Sequence, residues 1–478
     1  MKADITRDSF HPGNDYSRVL MQQGRLQLDA DWNEQVSIFW HFLRTFTCDL
    51  VGPYGGPANG CGFAIITTAD FEDGDGEPMR KELGIDVDEQ KLLRSKLADH
   101  TDFLIGPGRY YVDGILCNNP DFIAHSHHSH IRAPLSAAAN SMRHLVYLDV
   151  WERFITPIED GAMREPALNG IETCARSKVL WQVKIWKLRE GESIDDAPGL
   201  LAKWQSRHRG SLRARARHPG EGAGNQTSSV ASDARYRGVN NQLYRVEVHH
   251  GGRFGFENET PTFKWSRENG SVVFPIVHAT DDSVTLASLG RDARSGLRPG
   301  NWVEILDDDL VLENRADSLR QVADINIDQS LVTFAPLGAD EKANRAGRDP
   351  AKHPLLRRWD HRQGDPRRGG SELHKGAVLL KEGDGEKFWL MLENGVEVQF
   401  KPAKPQQDYR TGDFWLIPAR VATGDVEWPQ LNHAPQAIPP QGVEHVLAPL
   451  AVISFTDKNK LQSERDFRPK FKAVVSGY

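Results

Sequence analysis

Residues 16–51 read YSRVLMQQGRLQLDADWNEQVSIFWHFLRTFTCDLV, and the hydrophobic period changes in the middle of the stretch. Before the change, Val19 and Met21, then Leu26 and Leu28, alternate with polar residues on either side of Gly24. That spacing predicts a half-buried strand interrupted by a glycine turn or bulge. From Asp29 the period becomes helical. Asp31 is read as the cap, Glu34 as the returning carboxylate of a capping-box-like pair, and Gly52 with Pro53 as the stop. At about 100° per residue, Trp32, Val36, Phe39, Trp40, Leu43, Phe46 and Leu50 share one arc, which Phe42 and Ile38 widen to roughly 200°. A surface helix needs an apolar stripe only about half as wide, so this one calls for two partners. Either one face packs on its own domain and the other on a neighbouring subunit, or both faces are covered within one chain.

Composition narrows the classes of function. With 478 residues the chain is long enough for two to four domains, and its net charge of −7 argues against general nucleic-acid binding. The opening MKADITRDSFHPGND lacks the apolar core of a signal peptide, and no apolar run is long enough to span a bilayer. Cytoplasmic synthesis is expected. Cys48, Cys61, Cys117 and Cys174 are too sparse for a disulfide scaffold or a C-x-x-C metal knuckle, and free thiols are expected.

Beyond the helix the chain is mainly β, read as several antiparallel sandwich- or barrel-like blocks. Residues 1–60 form the arm and helix, and 61–188 a first β domain. In the latter, Asp113-Gly114 marks a hairpin, and LVYLDVWER pairs with SKVLWQVKIWK. Residues 189–238, rich in Arg, Gly and Ser, are read as a flexible loop whose Arg207, Arg209, Arg213, Arg215 and Arg217 face solvent, phosphate or an acidic partner. Residues 239–340 have the strand spacing of a small sandwich or barrel inserted into the outer domain, with Asn269-Gly270 as a hairpin turn. Residues 341–375 are a polar linker. Residues 376–478 form a last β block with a hairpin at Asn394-Gly395, and LAPLAVISF is placed to pair back to the first domain.

Candidate chemistry is thin. In AHSHHSH, His125 and His127 would share one strand face and His128 and His130 the other edge, enough for zinc or iron; the alternative is a solvated polar loop. Asp73, Asp75 and Glu77 make only part of a calcium loop, and Asp307, Asp308 and Asp309 are read as a polar turn. No nucleophile elbow, H-E-x-x-H, P-loop or dinucleotide fingerprint is present. No cofactor and no enzymatic activity are expected. Twelve tryptophans, placed mostly on predicted strands, suit either cores or sugar-stacking surfaces.

The opening YSRVLMQQGRLQLDADWNEQ, with FLIGPGRYYVDGILCNN (103–119), LVYLDVWER (145–153), TFKWSRENGSVV (262–273), HPLLRRWD (353–360), VQFKPAKPQQDYRTGDFWLIPAR (398–420) and PPQGVEHVLAPLAVI (439–453), resembles an uncharacterised domain family. That family is encoded beside baseplate genes of phage-tail-like contractile injection systems. The opening is also loosely similar to the start of some phage tail-fibre proteins. The resemblance implies a structural, baseplate-associated fibre, spike or fibre-adaptor protein that leaves the cell with its particle, and it supplies no catalytic residues. The partners expected are copies of the same chain, a trimer being favoured, and baseplate or fibre proteins. The alternatives are a receptor- or glycan-binding tail protein and, more remotely, a cell-wall glycan hydrolase using Glu165 or Glu172.

Overall fold

A computed structural model describes residues 2–72, 76–97, 99, 101–127, 143–189, 192–205, 209–217, 235–254, 260–290, 296–338, 346–364, 370–401, 408–432, 434–456 and 460–472. As the sequence predicts, it is mainly β, with several antiparallel sheets and one long helix near the N-terminus. Three β bodies are nested within one another along the chain.

The outermost body pairs the two ends of the sequence. His144–Ile155 takes Arg176–Lys187 as antiparallel partner on one side and the C-terminal strand Val446–Phe455 on the other. So the expected hairpin partners meet, and LAPLAVISF does return to the first block. Val146, Leu148 and Val150 face a second sheet made of Tyr54–Pro57, Gly108–Val112, Ile115–Asn119 and Lys470–Phe471. Leu145 and Tyr147, on the opposite face, pack under the helix Ala197–Gln205. A strand covered on both faces carries a nearly continuous apolar run, which is what LVYLDVW is.

Inside this body sits a sandwich. The six-stranded sheet built around Thr262–Ser266, Gln242–Val248 and Phe414–Arg420 shares one core with a three-stranded sheet of Ser211–Ala216, Val396–Lys401 and Leu390–Glu393. Inside the sandwich, in turn, a closed six-stranded barrel runs from Val273–Ala279 to Leu355–Trp359 around Phe274, Val303, Val322 and Leu356. Among the described residues, no helix is long and apolar enough to cross a membrane. None of the four cysteines is in a disulfide.

Several expectations need correction. The stretch 189–238 is not all loop: Ser211–Ala216 is a strand whose Leu212, Ala214 and Ala216 are buried while arginines alternate with them. Arg215 is neutralised by Glu386 and Glu397, and Arg209 by Asp413. With carboxylates beside them, these arginines are committed within the chain; Arg207 lies outside the described residues. The stretch 341–375 is not only linker, because Leu355–Trp359 closes the barrel and its Arg358 pairs with Glu268 and Asp360. Residues 242–266 belong to the sandwich, not to the barrel. Asn269 and Gly270 do adopt left-handed turn conformations, but they carry the chain from sandwich to barrel and close no hairpin. Asn394-Gly395 closes one as expected.

Two short helices, Glu77–Leu83 and Val87–Ser95, lie where the sequence reading predicts no helix. The second has a visible signal, since Asp86 accepts from the Glu89 amide (2.8 Å) and Glu89 reaches back to the Asp86 amide (3.2 Å).

Candidate docking interface

The long helix, α1, spans Asp29–Val51. It begins two residues before the expected cap. Leu28 is still extended, and Asp31 is itself the returning carboxylate, accepting from the Leu28 amide at 3.2 Å. Asp29 and Asp31 place negative charge in the first turn, where the helix dipole favours it. At the other end Gly52, at φ 88°, donates to the Cys48 carbonyl and Pro53 prevents continuation. Glu34 takes no part in the cap; it receives the Ser9 hydroxyl at 2.6 Å.

That bond is one of several by which the N-terminal arm and the outer body hold α1. Asp29 accepts from the Thr6 amide (2.7 Å) and hydroxyl (2.5 Å), and Phe10 lies against His41 with ring centres 5.7 Å apart. Nearer the C-terminus, Arg44 donates from Nε to the Asp113 carbonyl (3.2 Å) and pairs with the Asp113 carboxylate. Gly114 makes this approach possible. Its φ is +72°, and a Cβ there would stand 2.6 Å from the Arg44 carbonyl oxygen. Gly114→Ala is therefore expected to cost roughly 1–3 kcal/mol and to loosen the C-terminal half of α1, measured as a lower unfolding midpoint and faster amide exchange there.

On the helical wheel, Ala30, Glu34, His41, Arg44 and Cys48, held by the rest of the chain, cluster on one side, while Asp29 and Gln35, held by Thr6 and Val19, lie at the margins of the apolar stripe. Diametrically opposite lie Trp32, Val36, Phe39, Leu43, Phe46 and Leu50, within about 80° of one another. All six are exposed, Trp32 by 68% and Phe39 by 61%. The orientation is the reverse of an ordinary surface helix, which turns its apolar stripe to the core and its polar face to water. This revises the expectation that the apolar arc is shared with the helix's own domain. The own chain grips the polar side, Trp40 at the margin of the arc is half-buried, and Ile38 and Ala30 are the buried members of α1.

The segment before α1 is not the expected strand. Residues 16–28 form no ladder with any described strand; Gly24, at φ 72°, sits in a turn where the Arg25 amide donates to Gln22. The Val19 amide is taken by Gln35 of the helix at 2.9 Å, while Leu20 and Leu26 stand in solvent, the latter 90% exposed. A period-2 pattern makes a strand only where an edge is offered, and no described edge is offered here. Half of all the exposed large apolar side chains in the described chain fall between positions 16 and 50. On soluble proteins, large exposed apolar patches are the surfaces that most often serve interactions.

The remaining candidates do not assemble. His125 is a core residue, its ring stacked on Phe103 at 4.5 Å, and burial pushes its pKa down to about 4 against the pull of Asp102. It shares a single 3-10 turn with exposed His127, where residues two apart diverge; His128 and His130 lie outside the described residues. No group of three metal-binding side chains occurs among the described residues. Glu165 and Glu172 sit on a two-stranded ribbon opposite Ile171 and Arg164 respectively, so their carboxylates point to opposite faces. Asp307 caps the helix Asp308–Leu312, and Asp308 and Asp309 pair with Arg153 and Lys352. Asp73 and Asp75 are outside the described residues, and Glu77 opens a helix. Of the twelve tryptophans only Trp32 is exposed; Trp151, Trp265, Trp359, Trp415 and Trp428 are buried and the others are partly buried.

A second arrangement holds the three bodies together. Around a cavity of about 190 Å³, Arg153 of the outer body pairs with Asp308 of the barrel (2.6 Å), which also receives His353 (2.8 Å). Lys264 of the sandwich pairs with Glu304 of the barrel (2.6 Å), and Lys2 of the arm reaches Glu247 (2.9 Å). Burial pushes the Glu247 carboxyl up, but Lys2, Arg245 and Lys264 outweigh it and hold it well below the ordinary range. The residues that meet here span positions 2 to 445, and no local pattern announces them.

One family profile matches the chain over residues 1–210 and again over 200–464. The chain belongs to DUF6519. This family is described as one of unknown function. The two matches to DUF6519 take in α1, the sandwich, the barrel and the outer body up to residue 464. No curated protein and no solved structure matches the chain.

Proposed function

We propose that the protein is a structural subunit of a phage-tail-like contractile injection particle, a fibre, spike or adaptor protein that is homo-oligomeric through residues 16–51 and docks fibre or spike elements to a baseplate. The observation that carries this reading is the outward-facing apolar stripe of α1, anchored from behind by the arm and by Asp113. The resemblance of the sequence to domains encoded beside baseplate genes supplies the particle. The three bodies, locked by buried ion pairs, suit a rigid fitting. Assembly in the cytosol and departure with the particle are part of the same reading.

The test is incorporation. Phe39→Glu changes an exposed residue and leaves the fold intact. Particles assembled from a baseplate gene cluster carrying this variant are expected to lack the protein on purification, whereas wild type co-sediments. Wild-type protein absent from purified particles would end the proposal.

A further inference from the structure

We propose that three copies of this chain associate through α1 in a parallel coiled coil, with Trp32, Phe39 and Phe46 at one seam position and Val36, Leu43 and Leu50 at the other. The inference rests on residues 16–51 being the oligomerising element, and it names the symmetry.

The six residues follow one another at intervals of four, three, four, three and four. That is the alternating four-three spacing of a coiled-coil seam, and over these nineteen residues the stripe stays within about 80° on the wheel of an ordinary helix as well. A seam of that spacing fits the holes of another helix. Every copy of the chain carries the same stripe, exposed and pointing away from its own body, so a second copy is the complementary surface the molecule itself provides.

Area agrees. Fully buried aromatic side chains cover roughly 150–250 Å² each, so the exposed parts of Trp32, Phe39, Phe42 and Phe46 with the aliphatic positions come to roughly 700 Å² per chain. That is close to the ~800 Å² each partner gives to a stable interface.

The number of strands follows from breadth. Phe42 and Trp40 flank the seam at about 80° on either side, and Phe42 is 65% exposed. A two-stranded seam buries chiefly the central positions and would leave Phe42 in water. Around a threefold axis each helix meets two neighbours, and both flanks are covered. Threefold closure also requires the helices to be parallel. Because Ser9 and the Asp113 turn hold the side of α1 away from the seam, the β bodies of the three copies lie outward from it.

Light scattering on the purified full chain is expected to give three times the 53.6 kDa chain mass. Phe39→Glu is expected to drop it to one chain mass with unchanged far-ultraviolet circular dichroism, while Thr45→Glu, exposed and about 140° from the seam on the wheel, keeps the trimer. In a Cys174→Ser background, Leu43→Cys is expected to cross-link copies on oxidation, because parallel helices in register bring the same residue to the axis. A monomeric wild type at tens of micromolar, or a stable dimer, overturns the proposal. A trimer that is absent from particles leaves the coiled coil standing and counts against the particle reading alone.

Discussion

Acidification from pH 6.5 to about 4 is expected to remove several kcal/mol of stability, through histidines the fold holds neutral. Burial pushes His125 and His361 down to about 4 from an ordinary 6.5, and pushes His249 well below it. The physical cause at His361 is plain. One ring nitrogen donates to the Gly376 carbonyl at 2.7 Å, and a second proton would sit on Nδ1, a buried atom with no partner among the described residues. Between the two values the unfolded chain binds protons that the folded chain refuses, so stability falls as pH falls and the loss levels off near the folded value. A depression of this size is worth about 3 kcal/mol per histidine, against a typical total of ~5–15 kcal/mol. Burial raises Glu382, Glu393 and Asp413, which works in the opposite sense as these groups take up protons in the fold. The comparison that isolates the histidine effect is His125→Phe, which keeps the stack on Phe103 and removes the titration. Urea midpoints taken across this range should fall less steeply in the variant; parallel pH profiles would exclude His125 as a source.

Lys264→Met is the second large effect. The Lys264 ammonium lies 2.6 Å from Glu304, 3.4 Å from Glu247 and over the Trp359 ring, with both members of the Lys264–Glu304 pair nearly fully buried. Removing the cation leaves Glu304 charged and buried, with the Trp359 indole N–H still donating to it at 3.0 Å. Breaking a buried pair on one side costs about 3–5 kcal/mol, much more than the pair's net contribution. Adding Glu304→Gln should recover a good part of the loss, since an amide oxygen can still accept from Trp359 and no charge is stranded. Chemical denaturation of the two variants checks this. A single variant within about 1 kcal/mol of wild type would mean water reaches the junction and the ion pair is not a structural joint.

What the sequence showed depended on how local the signal was. The extent of α1, the turns at Asp113-Gly114 and Asn394-Gly395, and the pairing of LVYLDVWER with its neighbour were all legible, because each is written within about forty residues. The apolar arc of α1 was legible too, but its direction was not: whether Trp32 and Leu50 face in or out depends on Thr6, Ser9 and Asp113 gripping the other side. Ser211–Ala216 was hidden because small inward residues alternate with arginines, and composition reads arginine as disorder unless the facing Glu386 and Glu397 are known. The expected strand before α1 failed for the converse reason, a correct alternation with no described edge to join.

The nesting of the bodies also sets a timetable on the ribosome. His144–Ile155 is the central strand of its sheet, yet one of its two neighbours, Val446–Phe455, is translated roughly 290 residues later. At ~5–20 residues per second, that edge waits about 15 to 60 s for its partner, with the apolar run of LVYLDVW on it. The sandwich and barrel, complete in their own cores, have time to fold first. The nascent outer body is thus the part of this protein with most to gain from a chaperone, and slowing translation between residues 188 and 446 should raise aggregation of the full chain more than slowing it elsewhere.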